Sequence, residues 1–208
     1  MKVLDCTLRD GGYYNNWKFE KHLVKQYIEA VAESKIDIVE IGFRFLSKNT
    51  RFGDFAFSTD QYLRKLSLPG HLKIAVMINA KEFIESNLGA EAAVSSVFSS
   101  KNTSPVDIVR IASHIGDIGN CQIIANTLDK LGYKIFLNLM QIDSIEAPEL
   151  SNALSQIKKW NCIEALYFAD SFGNLNIDST DNIIESIKSV WDGKIGIHAH
   201  DNKGHALI

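Results

Sequence analysis

His198 and His200 stand two residues apart in the apolar run Lys194-Ile-Gly-Ile-His-Ala-His-Asp-Asn202. Side chains alternate faces along a β-strand, so the two imidazoles point the same way at the strand's C-terminal end, a pair of nitrogen donors. Two ordinary polar residues at a strand end would have the same spelling, and a third donor is needed to separate the readings. Asp10, in Asp5-Cys-Thr-Leu-Arg-Asp-Gly-Gly12 near the other terminus, offers one. Two imidazoles and a carboxylate form a common facial set for a divalent ion, with other positions open to substrate and water.

For these three residues to meet, the intervening elements must bring the two ends of the chain together. Lys2 to Leu8 reads as a buried strand with the polar tip Arg9-Asp10, then Gly11-Gly12 as a turn and Tyr13 to Trp17 as an aromatic, amide-rich loop. From Glu20 to Ser34, Leu23, Val24, Tyr27, Ile28 and Val31 recur at helical spacing. Ile36 to Phe43 is a mostly apolar second strand, of the kind covered on both faces, and Glu40 inside it is unusual. Arg44 to Ser58 reads as a long polar and aromatic loop, Thr59 to Leu66 as a short helix and Leu72 to Asn79 as strand three. Ala80 to Thr103 holds two short helical patterns broken at Asn87-Leu-Gly89. Val106 to Ser113 is strand four, followed by His114. Cys121 to Leu131 is a helix stopped by Gly132, and Lys134 to Gln141 is strand five. Pro148 opens a helix to about Trp160, Ile163 to Gly173 is strand six with its loop, Ser179 to Trp191 is a helix, and the His-X-His segment is strand seven.

Strands alternating with helices at this spacing specify parallel βαβ units, hence an open doubly wound sheet or a closed barrel. Polar side chains gather at the C-terminal ends of most of the strands, which suits the active face of a barrel, and the first strand lacks a Gly-X-Gly-X-X-Gly fingerprint. A barrel also brings Asp10 to the histidines. The expected fold is therefore α/β, a TIM (β/α)₈ barrel forming one domain over residues 1–208 and truncated after about seven βα units, against the roughly 250 residues usual for it. Strand eight would come from a lost C-terminal part or from a partner chain, since open sheet edges invite pairing.

A hydrophobic content of 46% supports one substantial core, and a formal net charge of −3 gives no electrostatic reason to expect nucleic acid or an anionic membrane. A small-molecule ligand is the expectation. Cys6, Cys121 and Cys162 lack any Cys-X-X-Cys spacing, which points to reduced thiols and a cytoplasmic protein. No apolar signal segment precedes the first strand, and no apolar run is long enough to span a bilayer.

Asp5-Cys-Thr-Leu-Arg-Asp-Gly11 together with His198-Ala-His-Asp-Asn202 resembles the DRE-TIM metallolyase superfamily, which includes 4-hydroxy-2-oxovalerate aldolase, HMG-CoA lyase and 2-isopropylmalate synthase. Val39-Glu-Ile-Gly42, Val109-Arg-Ile-Ala-Ser-His114 and Ala169-Asp-Ser-Phe-Gly173 fall where that family has its second, fourth and sixth strand ends, and Arg-Ile-Ala-Ser-His looks most like the aldolase branch. The resemblance implies that Asp10, His198 and His200 bind a divalent ion, manganese or magnesium, with zinc behind them. The ion would grip a 2-oxo acid and stabilise the enolate formed in carbon–carbon cleavage or formation. Arg9 matches an arginine that supports the enolate oxygen. Ser171 matches a substrate-carboxylate contact, with a capping or turn serine as the alternative. Glu40 matches an acidic residue near the site, with a buried ion pair to Arg9 or Arg110 as the alternative. Asn138, at a strand end, is a further candidate for hydrogen-bonding substrate.

The aldolases carry a histidine base shortly after the Arg-Asp-Gly motif, and Tyr13 stands at the matching position here. A phenol with an unperturbed pKa of about 10 is a poor base near neutrality, so His114 or a metal-bound hydroxide enters as a substitute. The expected function is a divalent-metal-dependent aldolase or lyase acting on a 2-oxo acid and an aldehyde, as a homo-oligomer or with a partner chain completing the barrel. The alternatives are a Claisen-type acyl-CoA/2-oxo acid acyltransferase and a non-catalytic metal-binding homologue, the latter encouraged by Tyr13 and the short end.

Overall fold

Apolar, largely β-branched runs become seven parallel strands: β1 (Leu4–Asp5), β2 (Ile38–Phe43), β3 (Lys73–Asn79), β4 (Ile108–Ser113), β5 (Lys134–Leu139), β6 (Ile163–Ala169) and β7 (Lys194–His198). The computed structural model describes residues 1–202, 204 and 206; His205 and most of the helix start read over 202–208 lie outside the described residues. The strands pair in sequence order with right-neighbour registers such as Leu4↔Ile38, Ala75↔Ile108 and Ala169↔His198. Between them run α1 (Thr7–Asn15), α2 (Lys21–Glu33), α3 (Asp60–Leu63), α4 (Ala80–Ile84), α5 (Ala90–Val97), α6 (Ile118–Lys130), α7 (Ala147–Ile157) and α8 (Ile177–Lys188). β2 and β4 are buried along their whole length, as strands covered on both faces must be.

β1 and β7 are the two ends of this strand order, yet Cys6 Sγ lies 3.9 Å from His198 Nδ1 and Asp10 Oδ2 lies 4.0 Å from His198 Nε2. The sheet therefore curls into an open barrel made of seven of the eight units of a TIM barrel, with the helices outside. Two apolar clusters follow from that shape. The larger fills the space between sheet and helices; the smaller, Ile38, Ala75, Ile108, Phe136 and Ala165 with Leu4 and Tyr167 against it, floors the interior. Strand side chains repeat with period two, so the interior residues one step further along include Cys6, Glu40, Arg110, Asn138 and Tyr167. A layer of polar groups thus sits on an apolar floor, toward the C-terminal ends of the strands.

The start of the chain departs from the sequence expectation. β1 ends at Asp5 and helix α1 begins at Thr7, so Gly11 and Gly12 are helical rather than a turn. Asp5 is the cause of the early switch: its carboxylate accepts from the Thr7 backbone N–H at 3.0 Å and from Thr7 Oγ1 at 3.0 Å. Gly12 serves close approach, because a Cβ there would fall 1.9 Å from the Trp17 indole. The change of direction falls instead on Asn16 and Trp17, both at φ 56°. Downstream, the α2 helix, the break before α5 and the positive φ of Gly132 follow the expected pattern.

Arg44, just after β2, ties the long loop to the outer layer. Its Nη2 donates to Asp60 Oδ1 at 2.7 Å and to Ser58 O at 2.8 Å, and Asp60 also accepts from Ser99 Oγ and Ser104 Oγ. Burial alone would raise the Asp60 carboxyl, but Arg44 and these hydrogen bonds outweigh it and hold the group below the ordinary carboxylate value. The folded-state value then lies below the unfolded one, so this stabilisation is complete above about pH 4 and is lost as pH falls through the folded value. Asp60→Asn should cost about 2–3 kcal/mol at pH 7, a partly exposed carboxylate counting for less than a fully buried one. Urea denaturation at pH 7 and pH 3 checks it: the gap between wild type and variant should narrow at the lower pH.

Candidate active site

Helix α1 leaves β1 at the C-terminal mouth of the barrel, which places Arg9 and Asp10 over the polar layer. Arg9 is buried, and its Nε donates to Glu40 Oε1 at 2.7 Å while Nη1 donates to Asp10 Oδ1 at 2.6 Å. Glu40 has no exposed surface and also accepts from Arg110 Nη1 at 3.3 Å. Arg110 Nη2 donates to Asn138 Oδ1 at 2.7 Å, and its guanidinium lies 4.5 Å from the centroid of the Tyr167 ring. That ring packs over Gly196, where a Cβ would meet it at 2.3 Å. Two arginines thus share one carboxylate in the interior. Burial works against the charge on Arg9, but Glu40 and its other acidic neighbours more than offset this and raise the group above its ordinary value.

His198 is the last residue of β7 and His200 lies just beyond the strand, so their convergence owes something to the loop as well as to alternation. The two Nε2 atoms are 3.2 Å apart, and His198 Nε2 is 4.0 Å from Asp10 Oδ2. Burial first, then the positive field of Arg110 and Arg9, pushes the His198 imidazole down to about 4, so it is neutral and has a lone pair to give. Among the described residues, Cys6, Asp10 and His198 form the group of donors whose ligand atoms all lie within 4.8 Å of one another. Burial pushes the Cys6 thiol up to about 11.

These residues border a cleft of about 860 Å³ between the start of the chain and the end of β7, with Cys6, Asp10, Tyr13, His198, His200 and Asn202 on its walls. Tyr13 is 61% exposed and rests edge-on against Trp17 and Phe43. Burial of its inner part raises its phenol above the ordinary value. The structure does not bring every sequence candidate here. His114 begins the short turn after β4 and does not line the cleft. Ser171 Oγ accepts from the Gln141 backbone N–H at 2.9 Å, tying the loop after β6 to the loop after β5. Asn138 spends its carbonyl oxygen on Arg110, and Glu40 spends its oxygens on two guanidiniums, the ion-pair alternative. Cys6 and Tyr167 were not read from the sequence as site residues. Stepping two residues from each apolar floor position would have found Tyr167.

The sequence model of the HMGL-like family matches residues 1–207. The chain belongs to the HMGL-like family. Among its curated relatives are 4-hydroxy-2-oxovalerate aldolases, 24% identical in Geobacillus genomosp. 3 and 26% identical in Spirochaeta aurantia. The alignments cover 100% and 99% of this chain and 59% and 58% of those proteins, so the chain spans a little over half the length of the relatives it matches. A crystallised N-terminal domain of an aldolase candidate from Bacteroides vulgatus superposes with a TM-score of 0.81 at 30% identity, over 97% of this chain and 65% of that one. The carboxyl transferase domain of Rhizobium etli pyruvate carboxylase shares the fold, with a TM-score of 0.71 at 12% identity, over 98% of this chain and 36% of that one.

In this HMGL-like chain the described donors that lie mutually close enough for a metal ion are Cys6, Asp10 and His198, and His200 adjoins them through His198. Ligand atoms each about 2.1 Å from a shared ion lie about 3–4 Å apart, and the Nε2–Nε2 and Nε2–Oδ2 separations of 3.2 and 4.0 Å fall in that range. The buried charge cluster beneath it is open to test. Glu40→Gln leaves the interior Arg110 without a counter-charge and Arg9 with Asp10 alone, and should cost about 3–5 kcal/mol in chemical denaturation. A loss below about 1 kcal/mol would mean that Glu40 is not what offsets the buried charge of the arginines.

Proposed function

We propose that this chain is the catalytic part of a divalent-metal-dependent aldolase that makes or breaks a bond to the methyl carbon of pyruvate or a related 2-oxo acid. The observation that carries the reading is the approach of Asp10 Oδ2 and of His200 Nε2 to His198 Nε2, at 4.0 and 3.2 Å, at the barrel mouth beside the buried Arg9. The name shared by the curated relatives, 4-hydroxy-2-oxovalerate aldolase, supports the same reaction class. Asp10, His198 and His200 would hold manganese or magnesium. When bound, the ion supplies Lewis-acid stabilisation of negative charge on the 2-oxo acid's oxygens.

The protein's own groups share the remaining work. Arg9, fixed in orientation by Glu40, keeps a permanent positive charge at the edge of the site, where enolate charge develops as the carbon–carbon bond breaks. Tyr13, on the cleft wall with a raised pKa, is a neutral phenol near pH 7 and suits proton donation better than proton abstraction. In cleavage, the proton of the substrate's hydroxyl would pass to solvent water as the aldehyde forms. Tyr13 Oη–H would deliver a proton to the methylene carbon of the released enolate, making it the methyl of the 2-oxo acid, and be reprotonated by solvent at its exposed edge.

Exchange of pyruvate methyl protons in D₂O, followed by proton NMR on the longest natural form of the protein with Mn²⁺, tests this directly. Metal-dependent exchange is expected, with a loss of at least about a hundredfold in Asp10→Asn, since an ionic ligand is removed, and a smaller loss in Tyr13→Phe. Exchange that persists after chelation, or none at all with metal present, would remove the basis for the aldolase assignment. Loss of acetyl-CoA only in the presence of a keto acid would point to the acyltransferase instead.

A further inference from the structure

The two ring nitrogens of His198 face different neighbours. Nε2 looks toward His200 Nε2 at 3.2 Å and Asp10 Oδ2 at 4.0 Å, while Nδ1, on the other side of the ring, is 3.9 Å from Cys6 Sγ. A neutral imidazole carries one proton. Only the tautomer protonated at Nδ1 leaves the Nε2 lone pair free toward Asp10 and His200, and that tautomer needs an acceptor for its Nδ1–H. A carboxylate or carbonyl often fills that role in metal sites. Here a further carboxylate at position 6 would sit in the field of Glu40 and Asp10, both close enough to act on Cys6. A neutral sulfur avoids adding a third negative charge.

We propose that Cys6 is a positioning residue for the metal centre: its sulfur accepts the Nδ1–H of His198 and so holds the Nε2 lone pair toward Asp10 and His200. The inference rests on the metal-binding reading above and goes beyond it by assigning the ring's second partner. Cys6 Sγ faces Nδ1, the ring nitrogen opposite the one that faces His200, and it also lies within 4.8 Å of the Asp10 ligand atom, so the test below separates a role on the ring from one on the ion. It is held there by its place between β1 and α1, as the residue just before the helix and beside Arg9.

The test uses the full chain and two readouts. Long-range proton–nitrogen NMR of the metal-free protein reports the His198 tautomer, and Mn²⁺ alone, titrated by EPR of the free ion, reports affinity. Wild type should show the Nδ1-protonated form. Cys6→Ala should lose that preference and bind Mn²⁺ about tenfold more weakly, the usual effect of removing a ligand's outer partner. Cys6→Ser, whose hydroxyl can accept the same proton, should restore both. Unchanged tautomer and affinity in Cys6→Ala would overturn the proposal while leaving the metal centre intact. An intense thiolate band on loading with Co²⁺, lost in Cys6→Ala, would overturn it by making Cys6 a ligand. Absence of Mn²⁺ binding by wild type would overturn the metal reading and this proposal with it, a result separable from the others because it precedes any variant.

Discussion

One buried carboxylate governs the interior of this protein. Glu40 sits between Arg9 and Arg110 with no exposed surface, and each of those arginines reaches on to another polar group, Asp10 on one side and Asn138 on the other. Removing two guanidiniums and a carboxylate from water is costly, and the arrangement persists only because the donors and acceptors are nearly all matched. Such a cluster contributes little net stability compared with an apolar core of similar volume. What it provides is orientation: Arg9 cannot swing away without leaving Glu40 and Arg110 mispaired, and Asp10 is held through Arg9.

The curl of the sheet extends that constraint across the molecule. β1 and β7 do not pair, but the residues at their C-terminal ends meet, because parallel strands twist and the apolar floor of Leu4, Ile38, Ala75, Ile108, Phe136 and Ala165 fills the interior. Above that floor burial itself, and then the field of Arg110 and Arg9 strengthened by the low-dielectric surroundings, keeps His198 neutral. The neutral histidine, the adjacent carboxylate and the permanent cation are features of one electrostatic arrangement, in which the donor atoms are held by elements from both ends of the chain.

The aromatic cluster beside the cleft supports the same region from the outer side. Trp17 packs against Phe43, Phe45 and Phe52 and closes on helix α1 through Gly12, and its Nε1–H donates to Arg9 O at 2.8 Å. Tyr13 stands on this cluster with its outer edge in the cleft. Movement of α1 would therefore disturb the aromatic packing and the charge cluster together. The long loop after β2 is fixed at its far end by Arg44 and Asp60, so both walls of the region are tied to the sheet.

Much was legible in the sequence because it depends on local period and chemistry. Short apolar runs marked six of the strands, three-and-four spacing marked helix α2, Gly132 and Pro148 marked an end of α6 and a start of α7, and the alternation of elements with the lack of a dinucleotide fingerprint selected the barrel. The two terminal motifs also contain Asp10 and His198, which the curled sheet brings to 4.0 Å. What the sequence could not show was decided by contacts between distant segments. Asp5 turned the expected strand and turn into helix α1, and Glu40 was claimed by two arginines from different elements, Arg110 being 70 residues away. Cys6 came to face a histidine 192 residues downstream. Spacing determines which face a side chain takes within its own element; which groups share a proton or a charge depends on how a curled sheet brings separate elements within hydrogen-bonding distance.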